Sequence, residues 1–131
     1  MTASSIRVDV APGELIDKIT ILAIKLERLS NADQLANVRH EYELLTAERD
    51  RTVGASDTLA KLTADLKAVN ERLWVIEDAI RDCERAKDFG AKFVELARAV
   101  YHQNDQRAQL KREINLLLGS AIIEEKSYAK Y

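Results

Sequence analysis

The sequence predicts an all-α protein made of two antiparallel helical hairpins, forming a four-helix bundle or a coiled-coil-like assembly behind a short extended segment. Three observations carry this. Apolar residues recur at spacings of three and four along most of the 131 residues, the period of a helix face. Only four Gly and one Pro interrupt them, too few for a fold built of strands and turns. The interruptions themselves, at residues 30–33, 53–56 and 88–90, are rich in capping and turn residues and divide the chain into four segments.

Each segment has its own signals. Ile6, Val8 and Val10 alternate with Arg7 and Asp9, which reads as a brief extended stretch. Pro12 then presets a helical φ, Glu14 and Asp17 place negative charge in the opening turns, and Leu15, Ile19, Leu22, Leu26 and Leu29 form a stripe. This predicts a helix over 12–29. Asn31 with Gln34 three residues later suits a capped start, and Leu35, Val38, Tyr42 and Leu45 predict a second helix over 33–51. Ser56 or Asp57 can cap a third. There Leu59, Leu62, Leu66, Val69, Leu73, Ile76, Ile80 and Cys83 make a heptad seam, predicting a helix over 57–87. At 1.5 Å per residue it would be roughly 46 Å long and needs a partner of similar length. Phe93, Leu96 and Val100, resuming at Leu110, Ile114 and Leu117 before Gly119, supply one over 91–118. The short connection makes the last two helices antiparallel. The chain thus reads as one helical domain over 1–131, with a short hairpin at about 12–51, a long one at about 57–118, and a tail over 119–131.

Composition excludes several function classes. The 20 basic and 22 acidic residues leave a formal net charge of -2, so there is no field to hold a nucleic-acid backbone. No apolar run is long enough for a signal peptide or membrane insertion, and the single Cys83 allows no internal disulfide, so a cytoplasmic location is expected. A carboxylate-bridged metal site would need Glu three residues before His, but Asn37 and Ala99 stand there before His40 and His102. No phosphate loop, nucleophile elbow or zinc pattern is present, so neither a metal nor a cofactor is expected.

The last helix breaks its own pattern. Between His102 and Gln109 the only apolar residue is Ala108. Antiparallel geometry puts Trp74 roughly level with Asn104, Glu77 with Tyr101 and Glu71 with Arg107, within about one 5.4 Å turn. Trp74, Glu77, Asp78 and Arg81 share a face at i, i+3, i+4 and i+7. A polar zone of Trp74, Glu77, Asp78, Arg81, Tyr101, Asn104, Asp105, Arg107 and Lys111 is therefore predicted, with Glu71, Glu77 or Asp78 pairing with Arg107, Arg81 or Lys111. It reads either as a register-setting network or as a ligand site. A second polar group, Glu14, Asp17, Lys18 and Lys25 with Arg28, lies on the first helix and reads either as an anion-binding row or as a solvated face.

The stretches Pro-Gly-Glu-Leu-Ile-Asp-Lys-Ile-Thr-Ile-Leu (12–22), Leu-Trp-Val-Ile-Glu-Asp-Ala-Ile-Arg (73–81), Val-Tyr-His-Gln-Asn-Asp-Gln-Arg-Ala (100–108), Lys-Arg-Glu-Ile-Asn (111–115) and Glu-Glu-Lys-Ser-Tyr (124–128) resemble an uncharacterised bacterial family, a domain of unknown function. Members sometimes sit beside polysaccharide or glycosyltransferase genes. The resemblance implies a bacterial source and a link to surface-polysaccharide biology, and it implies no catalytic residue. Separately, Leu15-Ile16-Asp17-Lys18-Ile19 with Leu22 and Lys25 is similar to the first helix of all-helical chorismate mutases. That resemblance implies a substrate-binding Arg just before Ile16, where this chain has Pro12, Gly13 and Glu14.

Function is expected to be that of a non-catalytic interaction module, self-associating as a homodimer or docking another protein. The alternative is a small helical enzyme or anionic-metabolite binder using the polar zone.

Overall fold

The computed structural model describes residues 4–131, so residues 1–3 of the expected domain lie outside the described part. Four helices follow an extended lead: α1 (Pro12–Arg28), α2 (Ala32–Thr52), α3 (Asp57–Arg85) and α4 (Ala91–Leu117). No end departs from the expected boundary by more than two residues. The caps explain this agreement. The Asn31 side chain accepts from Gln34 N at 2.9 Å and Ser56 Oγ from Leu59 N at 3.1 Å, each satisfying a free first-turn donor. At the end of α4, Gly119 takes φ +63°, with its N–H on Leu116 O and the Ser120 N–H on Asn115 O at 2.9 Å. That is a Schellman closure, and glycine adopts its left-handed residue without strain. The same closure ends α3 on Lys87, at φ 55°, with Asp88 N–H on Cys83 O.

The helices pack as a bundle with α1 at its centre. α3 and α4 run side by side, and Arg72 Nε on Gln103 Oε1 at 2.9 Å fixes their register within a turn of the expected one. α1 lies against both of them and against α2, whereas α2 packs on α1 alone. α1 is correspondingly buried on much of its circumference, through Ile16, Ile19, Leu22 and Ile24 as well as Gly13, Asp17 and Thr20. The single stripe expected for it caught Ile19 and Leu22 and missed Ile16 and Ile24, because a helix gripped on several sides needs more than one apolar face. Ile16 joins Leu59, Leu66 and Ile114 in the core, with Leu62, Leu110 and Leu118 packed around them. Each such side chain contributes about 2 kcal/mol on leaving water. α2 contributes no buried residue.

α1 crosses only the open half of the long hairpin, the half holding the α3 start and the α4 end. Beyond Asn70, α3 buries only Cys83, and α4 buries only Ile114 and Asn115. The distal half is a two-helix arm.

Candidate functional site

Where α1 enters the long hairpin, the two polar groups expected separately are brought together. Asp17, 1% exposed, points from α1 between α3 and α4. Its carboxylate accepts from Arg107 Nε at 2.9 Å and Nη2 at 2.5 Å, a two-pronged pair, and from Asn70 Nδ2 at 3.0 Å. Asn70 also donates to Thr20 Oγ1 at 2.9 Å, and the Thr20 hydroxyl donates to Asp17 O at 2.7 Å. One turn earlier, Lys111 Nζ lies 2.8 Å from Glu14 and 2.9 Å from Glu124. Asn115 Oδ1 accepts from Gly13 N at 2.7 Å. Gly13 is required there, because a Cβ would run into Lys111 O and come within 2.8 Å of Asn115 Oδ1.

Charge balance follows from these contacts. The hydrogen bond to Asp17 raises the Arg107 pKa above its ordinary value against the opposing effect of burial. Burial pulls Lys111 down, but Glu14 and Glu124 outweigh it and the net shift is upward. Both cations stay charged at any ordinary pH. Among the described residues, no buried side-chain nitrogen or oxygen lacks a partner.

Several expected partners differ. Glu77 does pair with Arg81, on its own helix, but Arg107 is taken by Asp17 and Glu71 pairs with Lys67 at 3.5 Å. The reason is that α1 delivers a carboxylate into the seam, which the hairpin alone does not do. Trp74 is half-buried and Asp78 exposed on the distal arm, away from this joint. Lys18 reaches Glu41 of α2 at 3.5 Å, and Lys25 sits in the last turn of α1, where positive charge suits the helix end.

The interrupted face of α4 has a second occupant, the tail. Asp105 meets Lys126 Nζ at 2.6 Å and the Tyr131 hydroxyl at 2.6 Å, Arg112 meets Glu125 at 3.7 Å, and the Tyr131 ring lies 5.1 Å from Tyr101 and 4.8 Å from His102. Between tail and α4 runs an open cleft of about 1290 Å³, bordered by Asn104, Arg107 and Lys111. Sequence reasoning missed Gly13, Thr20, Asn70, Asn115 and the tail. Asn70 and Asn115 carried a usable signal, since an amide beside seam residues Val69 and Ile114 is a register device.

The tail anchor is pH-sensitive at both ends. Hydrogen bonds from Lys126 and then Tyr131 hold Asp105 below its ordinary value, and the bond to Asp105 raises Tyr131. A lowered carboxyl stabilises the docked tail above its free value of 3.8 and loses that contribution as pH falls through the docked value. A raised phenol stabilises it below 10.0 and loses that contribution as pH climbs through the docked value. Tyrosinate absorbance is expected to show a late phenol step for Tyr131, which Asp105→Asn brings down. A late phenol in Asp105→Asn would contradict this assignment.

Among the described residues no three His, Cys, Asp or Glu side chains converge as for a metal ion, and no helix is long and apolar enough to cross a membrane. The chain belongs to a family described only as a family of unknown function (DUF6165), whose model matches residues 6–131. No curated protein and no solved structure matches it.

Proposed function

We propose that this member of a family without an assigned activity is a non-catalytic helical interaction module, with the joint around Asp17 as its structural pivot and the distal α3–α4 arm as its docking surface. One observation carries the reading. The seam residues Leu73, Ile76, Ile80, Phe93, Leu96 and Val100 continue past the reach of α1 and are only half-buried, while Val75, Phe89 and Val94 are 53%, 53% and 51% exposed. Seam residues left partly exposed on a two-helix arm suit a contact with another protein. At the joint, by contrast, Arg107 and Lys111 each already hold a carboxylate. The occupant we favour for the arm is a second copy, giving a homodimer. From the family resemblance the reading takes a bacterial setting near surface-polysaccharide biology, and from the composition a cytoplasmic location.

Light scattering tests it. The wild type is expected to associate as concentration rises, and Val75→Glu with Val94→Glu to return the mass to that of one chain without loss of helix. A wild type that stays monomeric throughout, or an association indifferent to both changes, overturns the arm as the docking surface.

A second reading, an anionic-metabolite binder, is favoured by the cleft beside Arg107 and Lys111. It requires the ligand to displace Glu124 from Lys111.

A further inference from the structure

The distal arm does not account for the polar face of α4. That face, Tyr101 to Arg112, is matched charge for charge by an extended segment with no regular secondary structure. Lys111 takes Glu124, Arg112 takes Glu125, Asp105 takes Lys126, and Tyr101 and His102 receive the ring of Tyr131. Beyond Ser120, no backbone–backbone hydrogen bond ties this segment to the helices, and a cleft runs beneath it. It is held by side chains alone, largely through ion pairs with at least one exposed partner, and such pairs are weak. Its one fixed point is the closure at Gly119 and Ser120, which caps α4 whichever way the chain continues.

The geometry points to the polar face of α4 as a docking groove for a segment of mixed charge carrying tyrosine, with the tail of a second copy as its partner. Reciprocal exchange of tails reproduces every contact made within one chain and closes with two-fold symmetry, so it costs no new complementarity. Within one chain the tail benefits from a high effective concentration, which keeps the closed form dominant until that advantage is removed. The tail cleft adjoins the distal arm at Val100 and Tyr101, but Val75 and Val94 do not border it.

Opposite charge changes on two copies of the full chain isolate the exchange. Asp105→Lys sets its own Lys126 against a like charge, and Lys126→Asp does the same to its own Asp105. Each variant alone is mismatched within its chain, whereas in a mixture both groove–tail pairs between chains are complementary. With Val94→Glu added to both, so that the arm contributes nothing, sedimentation is expected to give single-chain mass for each variant and a twofold mass for the equimolar mixture. Combining both charge changes in one chain is expected to restore the single-chain mass. Swapping the exposed pair Arg112 and Glu125 in the same manner should repeat the pattern, and both pairs lie outside the core, so circular dichroism should be unchanged. A mixture that keeps single-chain mass, or separate variants that associate as strongly as the mixture, overturns the exchange while leaving the arm untouched. Without Val94→Glu, an association indifferent to the charges would speak for the arm alone.

Discussion

Arg107→Ala is expected to destabilise the protein by about 3 kcal/mol, a fall in Tm of roughly 10 °C for a domain of this size. The magnitude comes from what is left behind. Asp17 is 1% exposed, and without the guanidinium its carboxylate keeps only the Asn70 amide, too little to replace two charge-assisted bonds. The figure sits at the lower end of the range for breaking a buried pair because the Arg107 side chain is itself 31% exposed, so the truncated site can admit water. Arg107→Lys should fall between the wild type and Arg107→Ala, since it keeps the charge and loses the fork. Thermal melts followed by circular dichroism measure all three. A loss below about 0.5 kcal/mol, the scale of an ordinary surface substitution, would show that the joint does not hold α1 in place.

Gly13→Ala is the second large effect, expected at about 1–3 kcal/mol. A methyl there meets the Lys111 carbonyl, a backbone atom that cannot turn aside, so the start of α1 must back away from α4. Overpacking of this kind costs about 1–3 kcal/mol, and the bond from Gly13 N to Asn115 adds about 1 kcal/mol when it breaks. Against this, alanine is the better helix former by about 1 kcal/mol. Gly54→Ala is the matched control, because a Cβ at Gly54 has nothing within 4 Å. Chemical denaturation should separate the two variants clearly, and equal midpoints would mean that α1 does not approach α4 this closely.

Local signals made most of the secondary structure legible. Asn31 and Ser56 cap where their side-chain chemistry says they should, and Gly119 ends α4 where a left-handed residue is cheapest. The end of α3 was harder to read because the left-handed position falls on Lys87, which carries no such mark, and the visible turn signal at Asp88-Phe89-Gly90 lies just beyond it. The joint was legible only in halves. Arg107 and Lys111 stood out as cations in an interrupted seam, and Glu14 and Asp17 as charges on an apolar helix. Nothing in the spacing of one helix says that another will supply its counter-ion from 90 residues away. Gly13 was opaque for the same reason, since its role depends on the backbone of α4. The tail gave no periodic signal because it is bound by side chains in an extended form, which leaves no period to read.

The attachment of α2 has a consequence for how the molecule opens. A helix that buries no residue and rests on one neighbour can unfold without exposing the core shared by Ile16, Leu66 and Ile114. Its amides therefore belong to the cheapest cooperative unit of the native state, exchanging with solvent through partial opening, while those at the α1–α4 joint wait for the whole molecule to come apart.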